Sequence, residues 1–242
     1  MKKQVQIKAK DGGTFSAFVS YPDTDLSAPG VIVIQEIFGV NENMRNICLN
    51  LSQAGYIALC PDLFWRLEPG VELTDKTEKD WQKGFELYQR FDSDQGVEDL
   101  KDALGYLRQQ KDCTGKVGTI GYCLGGRLAF LMAERSDADC NVSYYGVGIE
   151  SHLNDSAKIK KPLLMHMAGK DKFVPFAAQQ KIRTALNSHS NVELHVYQDM
   201  DHAFARVGGQ HYDSAAAHQA DSRTADFLAT VLGRENRQKA AK

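Results

Sequence analysis

Long hydrophobic runs are absent from this sequence of 242 residues. No apolar stretch approaches the roughly 18 to 20 residues that a membrane-spanning helix needs. The lysine-bearing start, residues 1–10, is not followed by the apolar segment that is typical of a signal peptide. We therefore expect a protein that neither crosses a membrane nor is secreted.

An excess of charge of one sign is also missing. Lys and Arg number 29 and Asp and Glu number 31, so the sequence offers no electrostatic attraction to nucleic acid or to an anionic membrane surface. This balance argues against both partners and favours a small-molecule substrate.

Cysteine is scarce, and no two cysteines have the C-x-x-C spacing. The five residues are Cys48, Cys60, Cys113, Cys123 and Cys140. Their odd number and the lack of zinc-like Cys/His spacing predict a reducing compartment, with no metal and no cofactor. We expect a cytoplasmic protein. All but Cys123 are interpreted as small buried hydrophobes.

The length and the 43% hydrophobic content are typical of one globular α/β domain. We assign residues 1–232 to this single domain and expect the polar tail, residues 233–242, to fray.

Short β-rich runs alternate with helical patterns along the chain. The first two flank turn residues 11–13 and predict an antiparallel hairpin, and the later ones suit strands buried on both faces. The eight runs are 5–7, 15–19, 31–34, 57–60, 117–120, 142–145, 163–167 and 192–197. The alternation predicts a doubly wound, mostly parallel α/β sheet of about eight strands flanked by helices.

Helices are predicted from apolar spacing and from capping residues. One apolar stripe comprises residues 97, 100, 104 and 107, and another comprises residues 224, 227, 228 and 231. Asn41 is predicted to cap a helix that runs through Ala54 and stops at Gly55.

The motif G-x-C-x-G follows the predicted strand 117–120 and is formed by Gly121, Cys123 and Gly125. It predicts a nucleophile elbow, in which a strained turn lifts the thiol above the sheet edge and the glycines avoid backbone collisions. A helix that begins at Leu124 would favour a thiolate at its N-terminus. The motif alone does not show that Cys123 is catalytic. That interpretation depends on whether an acid and a histidine accompany it.

An acid and a histidine follow two later strands. Asp171 comes just after the run 163–167, and His202 comes just after 192–197. The order nucleophile, acid, histidine is that of an α/β-hydrolase triad, in which His202 takes the thiol proton and Asp171 orients His202. Asp199 and Asp201 are rival acids. The remaining histidines are interpreted as surface or packing residues, namely His152, His166, His189, His195, His211 and His218.

The end of the predicted strand 31–34 supplies further candidates. The backbone amides of Ile37 and Leu124 are predicted to form an oxyanion hole. Glu36, directly after a buried strand, is predicted either to pair with the Cys123 thiol or to be satisfied by helix amides.

Six motifs together resemble the dienelactone hydrolase family over roughly residues 5–232. They are Q-E-I-F-G, C-P-D-L-F, G-Y-C-L-G-G, Y-Y-G, G-K-D and D-H-A-F-A-R. The resemblance implies a monomeric α/β-hydrolase that cleaves a small ester or lactone through a thioester acyl-enzyme. It implies the triad Cys123, His202 and Asp171, and a Glu36 that holds the resting thiol and then abstracts its proton.

Substrate recognition is where the sequence departs from this family. The resemblance implies two arginines for a substrate carboxylate, but only Arg206 is matched, and Trp81 stands at the other position. An aromatic ring cannot form the bidentate ion pair of an arginine, so a less charged lactone or ester gains support. Phe38 and Tyr145 are expected to line the substrate pocket with these two residues.

Two other functions stay open at this point. One is a broader carboxylesterase or a phosphotriester hydrolase, because the same thiol can attack other electrophiles. The other is a non-catalytic binding protein or a thiol-redox protein, in which Cys123 is only an oxidisable sulfur.

Overall fold

A computed structural model of the chain describes residues 1–233, and its centre is one sheet of eight strands. The strands are β1 (Lys2–Lys8), β2 (Thr14–Ser20), β3 (Ala28–Ile34), β4 (Ile57–Pro61), β5 (Cys113–Tyr122), β6 (Asn141–Tyr144), β7 (Leu163–Ala168) and β8 (Val192–Tyr197). All eight predicted strands are confirmed. The predicted frayed tail lies, apart from Gly233, outside the described residues.

The strand order is β1-β2-β4-β3-β5-β6-β7-β8. Strand β2 pairs antiparallel with both β1 and β4, whereas the pairs from β4 to β8 are all parallel. The predicted hairpin and the mostly parallel sheet are therefore confirmed. Because parallel strands end at the same edge of a sheet, the residues that follow β3, β5, β7 and β8 meet at one edge.

Six α-helices of the described part of the chain flank the sheet. They are α1 (Glu42–Gln53), α2 (Glu78–Arg90), α3 (Ser93–Arg108), α4 (Leu124–Arg135), α5 (Phe176–Leu186) and α6 (Ser214–Leu232), and two short 3-10 helices cover Ile149–Ser151 and Leu153–Lys158. Within residues 1–233, no helix is both long enough and apolar enough to cross a membrane.

Helix ends and buried faces follow the sequence closely. The Asn41 side chain accepts a hydrogen bond from the Met44 amide at 3.1 Å, and Gly55 has a φ of 96° just after α1, so the predicted cap and stop are confirmed. The α3 stripe is fully buried. The α6 stripe is confirmed in part, because Thr224 and Leu228 are buried, whereas residues 227 and 231 are only half-buried and Leu232 is buried in addition.

A buried histidine ties α6 to the sheet. His166, in β7, lies with Nδ1 at 3.0 Å from the Tyr197 hydroxyl and Nε2 at 3.0 Å from Thr224 Oγ1. The Tyr144 hydroxyl lies 2.7 Å from the same Thr224 oxygen and 2.9 Å from an Asp221 carboxylate oxygen. Burial lowers the pKa of His166 from 6.5 to about 3, because a charged ring would lose its hydration. The folded chain therefore holds this ring neutral.

The neutral His166 makes stability depend on pH. Between pH 6.5 and about 3, the unfolded chain binds a proton at this ring that the folded chain does not bind. We expect this residue to lower the free energy of unfolding as the pH falls through that window, by up to about 1.4 kcal/mol per pH unit. Urea unfolding of the wild type and of His166→Gln between pH 7 and 4 measures this difference, and identical slopes for the two proteins would contradict it.

Candidate active site

Cys123 occupies the sharp turn between β5 and α4. Its backbone has φ 57° and ψ −113°, a conformation that costs energy in a residue with a Cβ atom. A Cβ added to Gly121 would lie 1.8 Å from the Gly125 carbonyl oxygen, and one added to Gly125 would lie 2.2 Å from the Ile34 carbonyl oxygen. The predicted strand-turn-helix is confirmed, and the two glycines allow its close packing.

His202 and Asp171 come together from the loops after β8 and β7. His202 Nδ1 and Asp171 Oδ2 are 2.7 Å apart, and both residues are buried. The other Asp171 oxygen accepts hydrogen bonds from the backbone amides of Phe173, at 2.8 Å, and Val174, at 3.3 Å. These amides fix the carboxylate, which in turn fixes the tautomer and the orientation of the ring.

The two rival acids lie elsewhere. Asp199 pairs with Lys170 Nζ at 3.0 Å and its side chain is 80% exposed. An Asp201 oxygen lies 3.6 Å from His211 Nδ1. Neither of these carboxylates is hydrogen-bonded to His202 in the part of the chain that the structure describes. The geometry therefore favours the acid that the chain order predicts.

The protonation of His202 reflects its neighbours. Burial by itself lowers the pKa of this ring, but the neighbouring Cys123 sulfur and the Asp171 carboxylate outweigh burial and raise it to about 10. An opposite charge held close in a poorly hydrated site favours the charged ring. His202 is therefore placed to carry a proton beside the sulfur and to return it.

The two backbone amides predicted to form an oxyanion hole belong to a helix start and to a turn. Leu124 is the first residue of α4, and Ile37 lies in the turn after β3. Among residues 1–233, neither amide donates to a protein acceptor. Free amides at a helix N-terminus and in an adjoining turn are suited to stabilise a negative oxygen.

Glu36 is bound to an arginine. Its two carboxylate oxygens accept hydrogen bonds from Arg206 Nε at 2.8 Å and from Arg206 Nη2 at 2.9 Å. The alternative that helix amides satisfy Glu36 is therefore wrong, because a buried guanidinium meets both oxygens. In the same way, Arg206 is engaged by an acid of its own chain. Its predicted role as a clamp for a substrate carboxylate has to compete with that ion pair.

A cavity of about 40 Å³ opens beside Cys123 and His202. Its walls are mainly apolar and aromatic, and they comprise Ile37, Phe38, Trp81, Phe85, Tyr88, Val147, Phe173 and Arg206. Phe38, Trp81 and Arg206 are among the residues predicted to line it. A larger cavity of about 290 Å³ adjoins it and is rimmed by polar side chains that include Asp75 and Lys172.

Tyr145 is a correction to the predicted lining. Its side chain is 1% exposed and packs edge-on against the His202 ring, with 5.0 Å between centroids. It therefore packs against the histidine and is not among the residues that line the cavity beside Cys123. Phe85 and Phe173 line the cavity but were missed by the sequence analysis. Phe85 follows Trp81 by four residues on α2 and so shares its face, a spacing that could have identified it.

The sheet, the turn at Cys123 and the acid and histidine beyond β7 and β8 are those of an α/β-hydrolase. A model of the dienelactone hydrolase family matches residues 15–232. The chain belongs to this family and is a hydrolase that acts on ester bonds.

Individual relatives agree with this assignment. The carboxymethylenebutenolidase of Pseudomonas putida is 41% identical, with 96% of this chain and 98% of that protein aligned. A protein of Azospirillum brasilense, provisionally named a carboxymethylenebutenolidase, is 48% identical over 95% of this chain and 99% of its own. A solved Klebsiella pneumoniae structure, provisionally assigned as a dienelactone hydrolase, is 25% identical, with a TM-score of 0.81 over 95% of this chain and 99% of that chain.

Proposed function

We propose that this protein hydrolyses a small ester or lactone through a thioester formed on Cys123, with His202 as the base and Asp171 as its orienting acid. The observation that carries the proposal is the 2.7 Å contact between His202 and Asp171, beside a cysteine held on a strained turn. A nucleophile, a base beside it and a third group that orients the base form the arrangement needed for covalent catalysis.

The reaction follows from these positions. The Cys123 sulfur attacks the substrate carbonyl while His202 holds the thiol proton, and the carbonyl oxygen becomes negative and accepts hydrogen bonds from the Ile37 and Leu124 amides. The bond to the leaving oxygen then breaks, and His202 gives that oxygen its proton. A water molecule loses a proton to His202 and attacks the thioester. The carboxylic acid leaves, and the thiol regains its proton.

Glu36 has a less direct place in this scheme. Proton transfer from the thiol to Glu36, as the family resemblance implies, stays a prediction. It requires the carboxylate to break two hydrogen bonds with Arg206. His202 has no such ion pair to break with Arg206, and it lines the same small cavity as the sulfur.

The protein is proposed to act as a monomer in the cytoplasm. All three triad side chains come from one chain, so no second copy is needed to complete the site. The five free cysteines suit a reducing compartment.

The test is a turnover measurement on a panel of lactones, aryl esters and a phosphate triester, made with the wild type, Asp171→Asn and Asp199→Asn. We expect the wild type to hydrolyse at least one carboxylic ester or lactone. Asp171→Asn should lower kcat/KM on the order of 10³-fold, because an amide stabilises neither the required tautomer nor the charged ring. Asp199→Asn, the matched control at an exposed acid, should stay within about twofold.

Each contrary outcome has its own meaning. No turnover of any ester would reject the proposed function and favour the binding or thiol-redox interpretation. Turnover of the phosphate triester alone would change the reaction class. Equal losses in both variants would reject Asp171 as the orienting acid.

A further inference from the structure

Arg206 is shared between two acids of its own chain. Besides the two hydrogen bonds with Glu36, its Nη1 donates to Asp75 Oδ2 at 3.2 Å. The side chains of Arg206 and Asp75 are each 9% exposed, and that of Glu36 is 1% exposed. One cation therefore lies between two carboxylates in a poorly hydrated place, where charge interactions are strong. Lys76 Nζ lies 3.6 Å from the other Asp75 oxygen, but its side chain is 60% exposed. The buried part of this cluster, two carboxylates and one guanidinium, therefore carries a net negative charge.

Asp75 is held in this position by contacts on both sides. Its backbone carbonyl accepts a hydrogen bond from Trp81 Nε1 at 3.1 Å. The next residue, Lys76, donates from Nζ to the Gly208 carbonyl and so joins the loop before α2 to the loop that follows Arg206. Asp75 is thereby fixed against the arginine.

Besides His202, whose ring is paired with Asp171, the cavity beside Cys123 offers no replacement cation among the described residues. Apart from Arg206, its walls are aromatic or aliphatic side chains, together with His202. The Phe38 ring also covers the guanidinium, with 5.1 Å between the ring centroid and the guanidinium carbon. A substrate carboxylate would lose its hydration here and meet a surplus of negative charge, which is unfavourable. An uncharged aromatic or aliphatic group would bury apolar surface on these walls.

We propose that Asp75 is a specificity-determining residue that, by neutralising Arg206 together with Glu36, makes this site select uncharged esters with aromatic or aliphatic groups over esters that carry a carboxylate. The inference rests on the proposed function, since it concerns the substrate of the same site. It assigns Arg206 a structural ion pair in place of the substrate clamp that the sequence suggests.

The experiment compares esters of matched shape that differ in charge. One pair is 4-nitrophenyl 5-methylhexanoate and mono-4-nitrophenyl glutarate, and the other is 4-isopropylphenyl acetate and 4-carboxyphenyl acetate. For the two phenyl acetates, each kcat/KM is divided by the uncatalysed rate of the same ester, which corrects for the leaving group. The two 4-nitrophenyl esters share one leaving group, so their kcat/KM values are compared directly. In the wild type at low salt, we expect the uncharged member to be favoured at least about tenfold in one or both pairs. This preference should shrink as salt is added, because salt screens the repulsion.

Asp75→Asn removes one negative charge and keeps the shape of the side chain. It should shift the preference toward the carboxylated ester by about tenfold. The matched control is Asp201→Asn. Asp201 lines the larger adjoining cavity and makes no ion pair with Arg206 among the described residues, so this variant should shift the preference clearly less.

The outcomes distinguish a failure of the proposed ester hydrolysis from a failure of the proposed preference for uncharged esters. If no ester is hydrolysed faster than by Cys123→Ala, the proposed function fails and the inference fails with it. If esters are hydrolysed but the wild type prefers the carboxylated members or ignores charge in both pairs, the inference alone is overturned. Equal shifts from Asp75→Asn and Asp201→Asn would remove the special role of Asp75. The wild-type preference and its salt dependence decide the matter even if Asp75→Asn does not fold.

Discussion

Replacing Cys123 by alanine is expected to abolish ester hydrolysis and to leave the fold intact. Alanine keeps the Cβ atom, so the strain of the turn at φ 57° is unchanged, and only the sulfur is lost. Without the nucleophile no thioester forms, and kcat should fall on the order of 10⁴-fold or more. The measurements are kcat for the best ester, circular dichroism, and the mass of acid-quenched protein, in which an acyl group should appear on the wild type alone.

A second cysteine supplies the control for this variant. Cys140 is fully buried next to β6, and Cys140→Ala should lose about 1 kcal/mol of stability through packing while keeping its activity. Activity that survives in Cys123→Ala would remove the central assignment, whatever the control shows.

Adding a methyl group at Gly121 should be among the most damaging single changes to stability. The new Cβ would lie 1.8 Å from the Gly125 carbonyl oxygen, and backbone atoms cannot move apart there without displacing the start of α4. We expect Gly121→Ala to lose at least about 4 kcal/mol of unfolding free energy or to fail to fold. Urea and thermal unfolding of the purified protein, together with the yield of folded protein, measure the loss.

Gly105→Ala is the matched control. This glycine lies within α3, and an added Cβ would meet nothing within 4 Å. Alanine should therefore stabilise the helix by up to about 1 kcal/mol. Wild-type stability in Gly121→Ala would show that the turn at Cys123 does not need its close backbone approach.

The sequence predicts much of the chemistry because each candidate side chain follows a recognisable strand. The apolar runs before Cys123, Asp171 and His202 form β5, β7 and β8. Parallel strands bring their ends to one edge of the sheet. The choice of Asp171 over Asp199 follows the same rule. Strand order predicts that these residues lie near one another at the sheet edge. The 2.7 Å between His202 and Asp171 agrees with that prediction.

The ionic contacts of the site could not be predicted in this way. Glu36 and Arg206 are 170 residues apart, and Arg206 also meets Asp75 from a loop of no regular pattern. Which of several acids reaches a given cation depends on how loops fold over the sheet, and local spacing does not encode that. Tyr145 was misplaced for a related reason, since its buried ring packs against His202, a contact that local spacing does not encode either.

The segment between β4 and α3 contributes Asp75, Trp81 and Phe85 to the pocket but none of the reacting groups. The sulfur, the base, its acid and the amides all follow strands of the central sheet. Part of the pocket wall is therefore encoded apart from the reacting groups, while Phe38, Phe173 and Arg206 lie near those groups in the sequence. An engineer can exchange residues 62–92 between relatives to change the substrate range and leave the reacting groups in place, and natural divergence can follow the same route.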